Sequence, residues 1–357
     1  MSEDRKSWKG LRSEPGLAIM QRTDWTGQSS WLLFEKPVDV LEAHDSESVI
    51  RALERIEAAV RDGQCAAGFI SYEAAPAFDP ALVTHPAKNI PLLWFGIYAN
   101  AVEMDAPTDA HCHSRPATDW SPSLTKAEHE RAVKAIKQLI AAGDTYQVNF
   151  SFRLRSPMHD HALAYFHSLC LAQRAKYSAY VDTGDAAICS SSPELFFRLD
   201  GHDILCKPMK GTSTRGMTWA EDCRIAEELK ASAKNRAENV MIVDMIRNDL
   251  GRIATTGTVC VQSLFDVERY PTLLQLTSTV SAQTDASVPE IFKALFPCAS
   301  ITGAPKVRTM KIIRDLEPAP RGIYTGSLGF VLPQRKAQFN VAIRTVHLDR
   351  ATEMAEY

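Results

Sequence analysis

The stretch SSPELFFRLDGHDILCKPMKGT, from Ser191 to Thr212, reads as a β-hairpin with a reactive side chain at each end. Leu195-Phe196-Phe197-Arg198-Leu199 and Ile204-Leu205-Cys206 have the apolar and aromatic content of strands, and Asp200-Gly201-His202-Asp203 between them is a turn. Glu194 precedes the first strand. Lys210, on a turn running from Lys207 to Thr212, follows the second, so pairing places both at one end of the hairpin. Lysine is ordinarily a cation with a pKa of about 10.4, and it becomes a nucleophile only where desolvation or a neighbouring cation removes its proton. A nearby carboxyl group then serves as the acid. The competing reading is two exposed charges at loop ends, because Lys and Glu are seldom buried.

The pattern continues in both directions. Trp31 to Glu35, Ala67 to Tyr72 and Leu92 to Tyr98 read as strands, with a helix from Ser46 to Arg61 among them. Asp105 to Ser123, rich in Asp, Thr, Ser and Pro, reads as a linker or long surface loop. A boundary near Leu124 therefore divides an N-terminal region, 1–123, from a second region, 124–357. Ser123 or Thr125 caps a helix running to Ala142, with Val133, Ile136, Leu139 and Ile140 on one face and Gly143 as its stop. A longer helical pattern from Thr218 to Ile253 breaks near Ser232, and shorter helices span Val288 to Leu295 and Val307 to Leu316. Arg321 to Gly326 begins a hairpin whose return strand contains Ile343-Arg344-Thr345, and Glu353 to Tyr357 reads as a strand cut off just after its turn. Mixed strands and helices with many hairpins, and without βα repetition, indicate an α+β class rather than a barrel.

Composition removes several function classes. The 357 residues are 45% apolar and 23% charged, an ordinary globular balance with enough length for a sizeable core. A net charge of -3 gives no basic field for nucleic acid. Met1 to Lys6 is polar, and no run reaches the roughly 18 apolar residues of a membrane helix, so the expected location is cytoplasmic, with no membrane partner. The 8 cysteines show no C-x-x-C spacing and read as free thiols. His111-Cys112-His113 has no second half-site and reads as a solvated loop rather than a metal centre.

Other residues carry candidate chemistry. Asn235 and Glu238 stand at i and i+3 of one helix and share a face, an arrangement able to offer oxygen ligands to Mg²⁺. Asp244 to Asp249 reads as a helix end with internal ion pairs. Ser300-Ile301-Thr302-Gly303-Ala304-Pro305-Lys306 lies between two helices, where backbone N–H groups, a hydroxyl and the helix dipole can receive a carboxylate. Arg344, flanked by apolar residues, suits either bidentate carboxylate binding or an interstrand salt bridge.

Taken in order, GDTYQVN (Gly143 to Asn149), SSPELFF (Ser191 to Phe197), KPMKGT (Lys207 to Thr212), KNRAENVMIVDMIRNDLGR (Lys234 to Arg252), SITGAPKVRTMKII (Ser300 to Ile313), RGIYTGSLGF (Arg321 to Phe330) and AIRT (Ala342 to Thr345) resemble the chorismate-utilising enzymes. Within them the resemblance is to the aminodeoxychorismate synthase component I group. It covers Leu124 to Tyr357, and 1–123 more weakly resembles the N-terminal part of anthranilate synthase component I. The resemblance implies a four-layer αββα sandwich with two large, mostly antiparallel sheets. It also implies conversion of chorismate and ammonia to 4-amino-4-deoxychorismate, in para-aminobenzoate and folate biosynthesis. Lys210 would attack C2 while Glu194 protonates the departing C4 hydroxyl. Glu238 and Asn235 would hold Mg²⁺, and Arg344, Tyr324, Ser300, Gln275, Thr212, Gly211 and Lys306 would bind substrate. Two positions separate this reaction from its neighbours. Anthranilate synthases and water-using members resemble one another in having alanine where this chain has Lys210. The isochorismate and salicylate synthases activate water with a lysine where this chain has Gln147, and glutamine cannot be that base. Gln275 stands where many relatives have histidine.

The family also implies a separate glutaminase (glutamine amidotransferase) subunit as ammonia source, and an aminodeoxychorismate lyase, fused or separate. Its members normally continue past Tyr357 with a glycine-rich strand and an acidic helix bearing further Mg²⁺ ligands, so the chain reads as truncated at its C-terminus. Three alternatives stay open: anthranilate synthase component I, a catalytically inactive chorismate-binding fragment or regulatory subunit, and a Schiff-base lyase built on Lys210.

Overall fold

The computed structural model describes residues 5–108, 119–158 and 161–357. Strands before residue 124 are β1 (Ala18–Thr23), β2 (Ser29–Phe34), β3 (Asp39–Ala43), β4 (Cys65–Ile70), β5 (Leu93–Tyr98), β6 (Val102–Met104) and β7 (Ser121–Pro122). Those after it are β8 (Gln147–Val148), β9 (Leu154–Pro157), β10 (Tyr177–Asp182), β11 (Ala186–Ser192), β12 (Leu195–Asp200), β13 (Asp203–Lys207), β14 (Met209–Thr214), β15 (Cys260–Arg269), β16 (Leu273–Gln283), β17 (Gly303–Ala304), β18 (Ser327–Leu332), β19 (Lys336–Asn340), β20 (Thr345–Asp349) and β21 (Met354–Glu356). The helices are α1 (Ser46–Arg61), α2 (Ala75–Phe78), α3 (Lys126–Ala141), α4 (Ala162–Gln173), α5 (Trp219–Ala231), α6 (Ala233–Gly251), α7 (Val288–Leu295) and α8 (Lys306–Leu316).

One sheet runs β6-β2-β1-β10-β11-β20-β21-β9-β7, and the other runs β14-β16-β13-β12-β19-β18-β4-β5-β3 with β15 also on β16. Side-chain alternation along the strands then builds the layers. Ala18, Met20, Leu32 and Phe34 of the first sheet pack with Phe69, Trp94, Leu328 and Phe330 of the second, forming the inter-sheet core. Ile19, Leu33 and Tyr180, one step out of phase, face Tyr165 and Phe166 of α4. On the far side, Phe95, Phe197 and Phe339 meet Leu53 and Ile56 of α1, Ile242 and Ile246 of α6, and Phe292 of α7. The result is a helix, two antiparallel sheets and a helical layer, the four-layer α+β sandwich that the resemblance implied. Phe292 stands edge-on to Phe339 at 4.9 Å, and truncating so buried a ring to alanine costs about 3–5 kcal/mol.

Local readings fared unevenly. Helix α1 has the expected bounds because Asp45 caps it in a reciprocal box with Ser48. The Thr125 cap of α3 also forms a box, with Glu128. Of its stripe Val133, Ile136, Leu139 and Ile140, however, Ile136 alone is buried, and Ile140 is 40% exposed. Lys210 lies in β14 rather than on a turn. The hairpin begun by β18 returns through β19, and Arg344 lies beyond it, in the crossover leading to β20 of the other sheet. The expected division near Leu124 does not divide the sheets: β1 pairs with β10 and β4 with β18, so early and late strands share both layers. The expected strand at the end of the chain is β21, paired with β20 and β9. His111-Cys112-His113 and most of the expected linker lie outside the described residues.

Candidate active site

Three separate segments converge at the end of the second sheet. Glu194 sits where β11 passes into β12 and is 2% exposed. Lys210 sits on β14, whose register against β16 shifts between Met209 and Thr212. Gly211 permits that bulge, with φ of +95° and an Asn235 side-chain carbon 2.9 Å from where a Cβ would stand. The bulge carbonyls are then claimed by side chains. Asn239 Nδ2 donates to the Lys210 carbonyl at 2.7 Å while its Oδ1 accepts from Ser278 Oγ at 3.0 Å. Gln275 Nε2 donates to the Gly211 carbonyl at 3.0 Å, and Thr212 Oγ1 donates to Gln275 Oε1 at 2.9 Å. Fixed in this way, Lys210 Nζ donates to the Ser300 carbonyl at 2.6 Å. Ser300 Oγ donates in turn to Glu194 Oε1 at 2.6 Å. Amine and carboxyl thus meet through one serine.

Burial pushes the Glu194 carboxyl up to about 7, against the Ser300 hydrogen bond and the charge of Lys210, which both lower it. A group in that range holds or gives up a proton near neutral pH, as an acid catalyst requires. Ser300 is held by its own neighbourhood. Gly303, with φ of +143°, lets β17 pair with β8 so closely that a Cβ there would stand 2.0 Å from the Gln147 carbonyl oxygen. The Gln147 side-chain oxygen is itself buried without a hydrogen-bond partner.

A second arm bears Arg344 and Tyr324. Arg344 takes φ of +50°, its carbonyl accepts from Ser191 N at 3.0 Å, and its Nη1 donates to Gln173 Oε1 at 3.0 Å. The Ser191 bond ties it to the strand that leads into Glu194. Tyr324 Oη accepts from Ser151 Oγ at 3.2 Å and lines a cavity of about 430 Å³ with Phe152, Thr345 and Tyr357. Lys210 and Glu194 do not line that cavity.

On α6, the Asn235 carboxamide lies against Gly211, next to the lysine. Glu238 is 30% exposed, and its pair with Lys234 is loose at 3.9 Å. One carboxylate and one amide suit a hard cation that takes its remaining oxygens from water and substrate. Among the described residues no group of three or more His, Cys, Asp or Glu gathers. Lys306, which the resemblance assigned to substrate, has its Nζ donating to Asp249 Oδ2 at 2.9 Å and to the Leu295 carbonyl at 3.2 Å, so that it braces α6, α7 and α8. Sequence reading missed Asn239, although it is four residues after Asn235 and so on the same helical face. It also missed Arg321, whose five donor positions reach Glu317, Ile301, Thr325 and Asn149. Nothing local marks an arginine as such a hub.

Comparison with known proteins shows the family. A profile described as chorismate binding enzyme matches residues 18–355. Aminodeoxychorismate synthase component 1 of Bacillus subtilis (strain 168) is 39% identical over 247 residues, 69% of this chain and 53% of that protein. Anthranilate synthase component 1 of Aquifex aeolicus (strain VF5) is 39% identical over 235 residues, 65% of this chain and 48% of that protein. The chain spans about half the length of the curated relatives it matches. The crystal structure of anthranilate synthase component I from Streptococcus pneumoniae TIGR4 superposes with a TM-score of 0.78 at 22% identity, covering 97% of this chain and 87% of that one. That likeness concerns the fold.

Proposed function

Because the chain belongs to the chorismate binding enzyme family, we propose that it forms 4-amino-4-deoxychorismate from chorismate and ammonia, with Lys210 as nucleophile and Glu194 as acid. The observation that carries this reading is the run Lys210 Nζ to Ser300 carbonyl, and Ser300 Oγ to Glu194, at 2.6 Å each. An amine and a proton-bearing carboxyl side by side are what a displacement at an allylic carbon needs. Unprotonated Nζ forms a bond to C2, the two conjugated ring double bonds shift together, and the C4–O bond breaks as Glu194 passes its proton to the departing oxygen, which leaves as water. Ammonia then bonds to C4, both double bonds shift back, and the C2–Nζ bond breaks to return Lys210. The excess proton on the new amine restores Glu194. Two displacements return nitrogen to the carbon that lost oxygen.

Arg344 and Tyr324 hold the enolpyruvyl carboxylate in this reading, and Gln275 with Thr212 keeps the Gly211 bulge in shape. Glu238 and Asn235 are the residues that would hold Mg²⁺, which when bound withdraws electron density from the ring carboxylate. Ammonia comes from a glutamine amidotransferase subunit, a proposal supported by the name component 1 that the B. subtilis relative carries. An aminodeoxychorismate lyase, fused or separate, consumes the product.

A second reading, anthranilate formation with pyruvate release, is supported by the equally similar Aquifex relative. Lys210 favours the first, because only the covalent route uses an amine there. Incubation with chorismate and Mg²⁺ but no ammonium tests that use. The expected result is a chorismate-derived adduct mapped to the Lys210 peptide by mass spectrometry. A Lys210→Ala variant that keeps full amination would overturn the role.

A further inference from the structure

Tyr72 to Ala74 forms a short 3-10 turn directly after β4, far from Lys210 in sequence. It places Glu73, 4% exposed, beneath the loop that carries Tyr324. Arg321 N donates to Glu73 Oε1 at 2.7 Å, and Gly322 N donates to Glu73 Oε2 at 2.8 Å. Tyr72 N closes the contact by donating to the Gly322 carbonyl at 2.9 Å. Gly322 takes φ of +65°, which turns two successive N–H groups the same way and makes a small anion-binding concavity. The occupant is a side chain of the protein itself. Tyr72 also lies under the guanidinium that this backbone carries, 4.8 Å from ring centroid to Arg321 Cζ.

The consequence spreads through Arg321. Its Nη1 donates to the Ile301 carbonyl at 3.0 Å, next to Ser300, and to Thr325 Oγ1 at 3.3 Å, next to Tyr324. Its Nε and Nη2 hold Glu317 at 2.9 and 2.6 Å. Glu317 Oε1 also accepts from Ser151 N at 2.9 Å, and Ser151 is the partner of the Tyr324 hydroxyl. Ser300 in one arm and Tyr324 in the other therefore both have neighbours held by one arginine, and the backbone of that arginine is held by Glu73.

We propose that Glu73 is a positioning residue for this site, fixing the loop that presents Tyr324 and, through Arg321, the segment that presents Ser300. That Tyr324 and Ser300 face substrate rests on the function proposed above; that the carboxylate holds the loop does not. A carboxylate is the right group because each oxygen meets one buried N–H. A carboxamide would set its own N–H₂ against one of them and leave a donor unmet.

The test is Glu73→Gln in the full chain, with Glu54→Gln, an exposed position on α1, as control. Hydrogen exchange and chorismate kinetics are read together. In Glu73→Gln the amides of residues 321–326 exchange about tenfold faster, half-saturating chorismate rises about tenfold as the Tyr324 loop loosens, and turnover at saturation falls as the Ser300 segment loosens with it. The control leaves both unchanged. Unaltered exchange at 321–326 overturns the proposal, and so does a loosened loop with unaltered half-saturation. If Glu73→Gln does not fold, Glu73→Asp, which keeps the charge but withdraws it by one methylene, is read the same way. If the wild-type protein does not use chorismate, the proposed function fails, and exchange at 321–326 alone decides whether Glu73 holds the loop.

Discussion

At the scale of single residues, the candidate site is joined by Ser300, which offers two different groups to two different partners. Its carbonyl accepts from Lys210 Nζ and its hydroxyl goes to Glu194, so one residue sets both distances. The hydroxyl lowers the Glu194 pKa against burial. Removing it raises that pKa further, so Ser300→Ala is expected to move the alkaline limb of the pH–rate profile to higher pH, since the acid stays protonated longer. A profile that stays in place or moves down would contradict this. Glu194 also bears on stability. Its folded pKa, about 7, exceeds the ordinary value of 4.5, so below pH 4.5 both states are protonated and burial carries no charge penalty. Between 4.5 and 7 the unfolded chain alone releases the proton, and stability falls as pH rises; above 7 the full cost, on the order of 3 kcal/mol, is present. Glu194→Gln is therefore expected to raise the melting temperature at pH 8 and to change it little at pH 5. Equal effects at both pH values would remove the burial argument. The hairpin reading of Ser191 to Thr212 anticipated that Glu194 and Lys210 share an end. It gave no sight of Ser300, which is 90 residues from Lys210 and reaches it only through the fold.

At the scale of elements, legibility followed locality. Helix α1 was readable to its bounds because cap, period and stop all lie within the helix and its flanks. The bulge in β14 was not, because it exists only against β16, and Gly211 in sequence looks like any turn glycine. The half-covered stripe of α3 shows the converse: apolar spacing marks a face without saying what covers it. The short β8–β17 pair depends most on one residue. Gly303 combines φ of +143° with 2.0 Å of clearance to the Gln147 carbonyl, so Gly303→Ala must force the two strands apart. A loss of about 2–4 kcal/mol is expected, together with faster amide exchange at Val148 and Asn149. Wild-type stability in that variant would show that the strand pair is soft enough to yield.

At the scale of the molecule, the sheets join what the sequence divides. The composition shift after Asp105 suggested a boundary near Leu124, yet β1 to β5 occupy interior and edge positions in sheets whose other strands come from the far end of the chain. Such pairings are not local, and no periodicity reports them. The four-layer arrangement was legible only through the resemblance of later motifs to a known family. Removing residues 1–123 is expected to leave exposed strand edges on β10 and β18 and to prevent a cooperative thermal transition in the 124–357 fragment. A fragment that melts cooperatively would mean that the second half carries its own core. The most direct test of the central claim is product analysis of the full chain with chorismate, Mg²⁺ and an ammonium salt at mildly alkaline pH, by chromatography with mass detection. The account predicts 4-amino-4-deoxychorismate without pyruvate; anthranilate with an equivalent of pyruvate would contradict it.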